Sequence, residues 1–484
     1  MNLKIITRNV GYALLVSALF MLLSILVSVA NGNDSALSAL LISFTITFSV
    51  GVFPFIFVRR TSGMTLKEGY TIIVLSWVLS FIFGMLPYVL WGGPFTVVNA
   101  WFESVSGFTT TGATILEEVE ALPKSLLFWR SATHFIGGLG VVVFLLLIIP
   151  SSSPVKLRLS NMELSSLSKE GYRKQSNRIV YIFTVVYLVM NLASFVLYRL
   201  AGMTTFDAIC HGFSVCATGG FSTKTASIGA FDSNAINIIT MIFMLLSSTH
   251  FGLIYMVFAT RSLRPLNNPV LKRYLGTLAV FSIMVAMSLK FHGINPTWQS
   301  AFMDAVFQVI CYASTTGFAI ADNATWPIFP CIILMVAGIQ CGMAGSTTGG
   351  LKTDRVLLLS KSIRRHVRIA VSPSSVQGIR LGKTMLKDED VFPHIFYIAV
   401  FFVMATLSYI ILLLFCENDH NALSGTIATI CNVGPAMGDI GSMGNYNLEP
   451  TAAKIIYTFN MLLGRLEMYP VMAVILMILH PKTK

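Results

Sequence analysis

Four short runs of the chain combine hydroxyl side chains with glycine. They are Thr109-Thr110-Thr111-Gly112-Ala113-Thr114, Ala217-Thr218-Gly219-Gly220-Phe221, Ser314-Thr315-Thr316-Gly317-Phe318 and Asn432-Val433-Gly434-Pro435. Their central glycines, read as Gly112, Gly219, Gly317 and Gly434, recur at a nearly constant interval. Glycine tolerates positive φ, so successive carbonyls in such a run can turn toward one axis. The hydroxyls of Thr110, Thr111, Thr218, Thr315 and Thr316 can brace that backbone or add oxygens of their own. Four strands of this kind, the last offering Asn432, Val433 and Gly434, would surround a dehydrated cation with neutral oxygens, the coordination used for potassium. One such run alone carries no information; four at a regular period do.

The surrounding elements have to place these runs. The chain has 484 residues, 55% of them hydrophobic and 11% charged, with a mean hydropathy of +0.75. A soluble domain is about 25% charged, so this composition describes an integral membrane protein. Apolar runs long enough to span hydrocarbon lie at about 10–30, 36–58, 69–91, 125–149, 178–200, 234–260, 271–290, 327–360, 392–416 and 451–479. The first is too long for a signal-peptide core and a second follows at once, so it reads as a retained helix. The last eight form four pairs. Between the members of each pair lies a shorter semi-apolar segment, at 98–109, 204–216, 299–313 and 421–431. These are too short to cross but suit a re-entrant half-helix, and each ends at one of the glycine runs. Irregular backbone at membrane depth is tolerated only where it lines a cavity or is buried in protein.

Charge sets the orientation. Most of the 33 Lys and Arg fall at the N-terminus, at 59–68, 150–178, 261–273 and 361–391, and at the C-terminus, whereas Asp34, Glu117, Glu118, Glu120, Asp232, Asp322, Glu417, Asp419 and Glu449 fall on the other side. The positive-inside rule then places both termini in the cytoplasm, and it accounts for the net +12 without a nucleic-acid partner. A basic loop follows the second span of every pair, so the four units are parallel, unlike the inverted repeats of many secondary transporters. The expected fold is an all-α polytopic membrane protein: four parallel helix–pore-helix–helix repeats around a central pore, plus two extra N-terminal transmembrane helices. Its segments are 1–66 for the extra helices, then 67–160, 161–262, 263–375 and 376–484 for the repeats.

Two further features sit inside spans. Gly342-Met343-Ala344-Gly345-Ser346-Thr347-Thr348-Gly349-Gly350 interrupts the eighth; with about 1 kcal/mol against helix per glycine, it reads as an intramembrane loop beneath the glycine runs, with close helix packing the alternative. Its likeness to a phosphate-binding P-loop fails, because Leu351 separates the glycines from Lys352 and no strand precedes it. Arg465 lies within the last span, where a charge is costly unless it faces a wet cavity or a partner. Glu467 is one candidate partner, although residues two apart do not share a helix face. Glu103, Asp207 and Asp304 on the half-helices read as complements to positive helix N-termini. His134, His211 and His250 lack ligand spacing and read as core or interfacial. The seven cysteines read as small core hydrophobes. The intramembrane charges do not converge as an enzyme's acids, bases or metal ligands must, so the chain is not read as an enzyme.

The runs Ser106-Gly107-Phe108-Thr109-Thr110-Thr111-Gly112-Ala113-Thr114, Gly219-Gly220-Phe221-Ser222-Thr223 and Asn432-Val433-Gly434-Pro435 resemble those of the Trk/Ktr/HKT potassium-transporter superfamily. The two extra N-terminal spans point to its TrkH branch, and the likeness covers essentially the whole chain. It implies potassium uptake across a bacterial cytoplasmic (inner) membrane, a homodimer with one pore per protomer, and a cytoplasmic nucleotide-binding ring of TrkA type as regulator. No bound cofactor is expected, potassium being the cargo. The interrupted eighth span resembles the family's gating loop, which assigns that role to Gly342, Gly345, Ser346, Thr347, Thr348, Gly349 and Gly350, and Arg465 falls at the family's barrier arginine. Plant sodium-selective members carry serine at the first filter glycine; Gly112 here favours potassium. Ala436 departs from the glycine common after the filter proline. A sodium-permeant or ion-coupled symporter of the same fold stays open as the alternative.

Overall fold

Apolar runs in hydrocarbon must satisfy their backbone polar groups internally, and the computed structural model of the chain is accordingly built of helices. It describes residues 2–59, 65–148, 172–373, 378–381 and 384–480. Helices α1 (Leu3–Ala30) and α2 (Leu37–Phe57) form an N-terminal hairpin. Its turn is tied to the body by Asp34, which accepts from Ser28 Oγ at 2.7 Å and from the Ser125 N–H at 3.0 Å.

Four units follow. The first is α3 (Leu66–Gly84), a short continuation Leu86–Trp91, α4 (Val97–Phe108) and α5 (Lys124–Ile148). The second is α6 (Tyr172–Leu200), α7 (Thr205–Ala217), α8 (Asn234–Ser248) and α9 (Phe251–Thr260). The third is α10 (Pro269–Phe291), α11 (Trp298–Ala313), α12 (Ile328–Ile339) and α13 (Thr353–Val371). The fourth is α14 (Asp388–Leu412), α15 (Asp419–Ile430), α16 (Thr451–Arg465) and α17 (Met468–Leu479). The short helices α4, α7, α11 and α15 start where a side chain caps a free N–H: Thr96, Thr204, Thr297 and Asn418 accept from Asn99, Asp207, Ser300 and His420, the usual N-cap device. Their C-terminal halves are buried, while the long helices present residues such as Phe53, Leu192 and Val403 outward, ordinary against lipid and a liability in water.

The ten spans expected from the sequence, the eighth of them interrupted, need correction at two further runs. Among the described residues, six helices are long and apolar enough to cross. The sixth run bends by 100° between α8 and α9, and the tenth by 113° between α16 and α17. Hydropathy cannot register such bends, because the two arms together read as one apolar run. Local chemistry does: His250 Nδ1 caps α9 by accepting from the Gly252 N–H at 3.0 Å, and Glu467 holds φ 56° at the second bend. The eighth run is split, as expected, between α12 and α13. Two-residue strands β1 (Gln340–Cys341) and β2 (Leu351–Lys352) pair in parallel and close the intervening loop at its base. A hairpin of β3 (Ile379–Leu381) and β4 (Thr384–Leu386) precedes α14. Most of the basic loop at 150–178, part of 59–68 and the last C-terminal residues lie outside the described residues.

Candidate functional site

After each short helix the backbone makes the same turn. Thr110, Thr218, Thr315 and Asn432 take φ of 50°, 55°, 52° and 56°, and two residues later Gly112, Gly220, Gly317 and Gly434 take 81°, 83°, 79° and 90°. Between them, the N–H groups of Thr111, Gly219, Thr316 and Val433 reach back to the carbonyls of Ser106, Ser214, Cys311 and Ala428 at 2.9, 2.9, 3.0 and 2.8 Å. This is the Schellman closure of a helix C-terminus, in which the left-handed residue is usually glycine. Three β-branched threonines there are strained, the kind of strain that persists only where surrounding structure enforces it. The register corrects the sequence-based one: Gly220, not Gly219, is equivalent to Gly112, Gly317 and Gly434, while Gly219 matches Thr111, Thr316 and Val433. Adjacent glycines hid this; the Gly-Phe pair shared by Gly220-Phe221 and Gly317-Phe318 was the available signal.

The four strands close on one another. A Cβ on Gly112 would come within 2.1 Å of the Gly219 carbonyl oxygen, on Gly220 within 2.1 Å of Thr316 O, on Gly317 within 2.3 Å of Val433 O, and on Gly434 within 2.3 Å of Thr111 O. Each glycine thus faces the carbonyl of the next unit, and the fourth returns to the first. No other residue fits these positions, for space as well as φ. The four glycines open together onto one cavity, lined also by Thr114, Arg130, Lys224, Ser442 and Tyr446. On the opposite side lie the C-terminal ends of the short helices, whose free carbonyls carry partial negative charge.

Braces hold the strands from behind. Glu103, His211 and Gln308 stand the same distance before their glycines. Glu103 accepts from Thr114 Oγ1 at 3.0 Å and from the Ile115 N–H at 3.2 Å. His211 Nε2 lies 2.9 Å from Ser222 Oγ, and Gln308 Nε2 donates to the Ala321 carbonyl at 3.1 Å. Glu103 is also ion-paired with Arg130 at 2.8 Å, both fully buried. Arg130 donates to the Ser222 carbonyl at 3.1 Å and sits 4.0 Å from the Phe221 ring, so it ties the first strand to the second. Glu103 is therefore a mid-helix brace rather than a complement to a helix N-terminus. Asp207 does sit in a first turn, but it also accepts from Thr223 Oγ1 at 2.6 Å beyond the second strand. Asp304 accepts from Asn295 Nδ2 at 2.7 Å. His134 stacks on Phe221 at 4.2 Å with Nδ1 3.1 Å from Ser214 Oγ. Sequence reasoning missed Arg130, although a charge within a span is itself a signal, and set the two buried histidines aside. In the fourth unit the Ala436 carbonyl accepts from Tyr312 Oη at 3.1 Å and Asn323 Nδ2 at 3.2 Å; the third unit thus supports the position that departs from the family pattern.

The loop between β1 and β2 lies on the helix-end side of the ring. Gly345 and Gly350 take φ of 78° and 58°; Ser346 Oγ donates to the Met343 carbonyl at 2.6 Å and lies 2.8 Å from Thr348 Oγ1. Lys352 Nζ donates to Thr348 Oγ1 at 2.9 Å. Its hydrogen bonds reach the second unit and the strand of its own, third unit: the Met343 N–H donates to Ser248 O at 2.9 Å, Thr347 Oγ1 donates to Cys216 O at 3.2 Å, and the Gly349 N–H donates to Thr315 Oγ1 at 2.9 Å. A Cβ on Gly342 would stand 2.5 Å from Ser248 O, and one on Gly349 2.3 Å from Cys431 O. Arg465, buried at the last turn of α16, donates to Thr347 O at 2.5 Å and to Gly137 O of the first unit at 3.3 Å. Loop and arginine together touch all four units. Glu467 instead pairs with Arg355 at 2.8 Å, so Arg465 does not have it as partner. None of the seven cysteines is in a disulfide.

A ring of carbonyls made from four parallel units within a helical membrane protein is the architecture of a membrane cation transporter. The family model TrkH, described as a cation transport protein, matches residues 37–484, and the chain belongs to that family. It is 33% identical over 476 residues to the Trk system potassium uptake protein TrkH of Salmonella typhimurium, covering 97% of each chain. To the Trk system potassium uptake protein TrkG of Escherichia coli K12 it is 30% identical over 479 residues, again with 97% of each covered. The crystal structure of the potassium transporter TrkH from Vibrio parahaemolyticus superimposes with a TM-score of 0.86 at 30% identity, over 98% of both chains.

Proposed function

We propose that this chain carries potassium into the cell across the cytoplasmic membrane through the ring formed by its four strands. The observation that carries the proposal is the ring's closure, each glycine against the next unit's carbonyl. Thr110, Thr111, Gly112, Thr218, Gly219, Gly220, Thr315, Thr316, Gly317, Asn432, Val433 and Gly434 form the filter, whose carbonyls replace water around the ion. The short helices aim their negative ends at the inner side and favour a cation there. The loop at 342–350 obstructs the inner side and acts as the gate. Arg465 adds a buried positive charge that opposes passage while it holds the loop. The repeats run over 67–160, 161–262, 263–375 and 376–484, with both termini in the cytoplasm. Family membership supports a homodimer and a separate cytoplasmic nucleotide-binding ring as regulator, for which the basic segment at 361–387 offers an inner surface.

Expression in a bacterium stripped of its potassium uptake systems is expected to restore growth at low external potassium. Rescue that required external sodium would replace this proposal with ion-coupled symport.

A further inference from the structure

The three left-handed threonines of the ring meet three different fates. Thr110 Oγ1 is buried and has no hydrogen-bond partner among the described residues. Thr218 Oγ1 donates to the Ala217 carbonyl at 2.6 Å. Thr315 Oγ1 alone accepts a hydrogen bond from the loop, from the Gly349 N–H at 2.9 Å. Gly349 is pressed into that place: a side chain there would strike the Cys431 carbonyl of the fourth unit at 2.3 Å and Asn432 at 2.8 Å.

A hydroxyl oxygen that accepts from a backbone N–H faces the positive end of an amide dipole. It is then a poor ligand for a cation on the same side, and the donor itself fills the approach. Thr110, at the equivalent position, has its oxygen uncommitted. The inner end of the ring is therefore asymmetric while the loop is seated, and the asymmetry lies in the unit that carries the loop. We infer that Thr315 joins gate to filter: the Gly349 amide occupies the Thr315 hydroxyl while the loop is seated, and withdrawal of the loop returns that oxygen to the cation pathway. Opening and cation selection then change together through one side chain. The inference rests on the proposed roles of the strands as filter and the loop as gate.

The test is single-channel recording of the full-length protein in planar bilayers with potassium and sodium on opposite sides. Valine matches threonine in shape and β-branching but lacks the oxygen. Thr315→Val is expected to raise open probability about fivefold, the worth of one hydrogen bond, and to lower the potassium-to-sodium permeability ratio. Thr110→Val is expected to lower that ratio with little change in open probability, and Thr315→Ser, which keeps the hydroxyl, to shift both quantities less than Thr315→Val does. If Thr315→Val alters selectivity alone, as Thr110→Val does, the coupling is refuted and the filter assignment survives. If neither valine variant alters selectivity, the hydroxyls hold no cation and the inference is refuted, while the carbonyl ring is left standing.

A second measurement covers the case in which Thr315→Val does not assemble. In Thr315→Cys, modification by a small cationic thiol reagent is expected to run at least tenfold faster under opening conditions than under closing ones. The parent, whose own cysteines are buried or half-buried, gives the background. Equal rates in the two conditions would overturn the inference.

Discussion

The ring and the zone on its helix-end side are built from the same four units but obey opposite rules. In the ring, the four strands repeat one another closely: the same left-handed residue, the same closing bond, and the same glycine against the next carbonyl. On the helix-end side the second long helix of each unit differs. In the first unit α5 runs unbroken from Lys124 to Ile148; the second bends by 100°, the third opens into a loop closed by β1 and β2, and the fourth bends by 113°. Coordination of a dehydrated ion needs several equivalent oxygens, and loss of one degrades them all. Obstruction of a path needs a single movable part. On the proposed roles, four copies of one repeat stay alike where the ion would be held and diverge where its passage would be controlled.

The sharpest way to break the ring is to add one carbon atom to it. Gly434 stands at φ 90° with the Thr111 carbonyl 2.3 Å from where a Cβ would lie. Gly434→Ala is expected to cut potassium uptake per membrane-inserted protein at least a hundredfold, equivalent to about 3 kcal/mol. Gly92→Ala supplies the control: Gly92 has φ 84° with nothing within 4 Å of an added Cβ. It too carries the cost of a positive φ, but outside the ring, and uptake should stay within twofold of the parent. Equal losses in both variants would mean that backbone strain, not ring closure, sets the requirement.

The inner zone should respond in the opposite direction. Arg465 is buried and donates to the loop at Thr347 and to Gly137. A unit charge about 10 Å from a cation at an effective dielectric of about 20 costs that cation roughly 1.7 kcal/mol. Arg465→Ala is expected to raise potassium flux into liposomes by about tenfold, through loss of that barrier and of the bond that seats the loop. Unchanged flux at normal protein density would remove Arg465 from the gate.

This division also explains what the sequence disclosed. The short helices were legible because length, capping residues and the following glycine all point the same way; α4, α7, α11 and α15 begin within two residues of their expected starts. The ring was legible as a repeat but not in register, since Gly219 and Gly220 offer the same letter and only the backbone distinguishes them. The bends at His250 and Glu467 were not legible, because the hydropathy of α8 with α9, and of α16 with α17, is that of one straight span. Glu103 with Arg130, and His211 with Ser222, were hidden for another reason. Each brace joins residues whose proximity depends on the closed turn after a short helix, and spacing along the chain records nothing of that turn.

The N-terminal hairpin, away from the ring, should give the smallest effect and one that transport does not register. Asp34 sits in the turn between α1 and α2 and accepts only from donors: the hydroxyls of Ser28 and Ser125 and the N–H groups of Ala36 and Ser125. Burial pushes its carboxyl up, but the hydrogen bonds from Ser28, Ser125 and Ala36 outweigh that and hold it below the usual carboxylate value. A carboxyl depressed by folding contributes stability that is present above its unfolded value of about 3.9 and is lost as pH falls through the folded one. Asp34→Asn places a donating amide among donors and removes the charge, at a cost of about 1 kcal/mol. Thermal unfolding in detergent at neutral pH should therefore show a small drop in midpoint, with uptake per inserted protein unchanged. As pH falls below the ordinary carboxylate value of about 3.9 and through the depressed folded-state value, the parent's Asp34 becomes protonated, and the two midpoints should converge. A gap that stays constant into acid would assign the contribution of Asp34 to its shape rather than its charge.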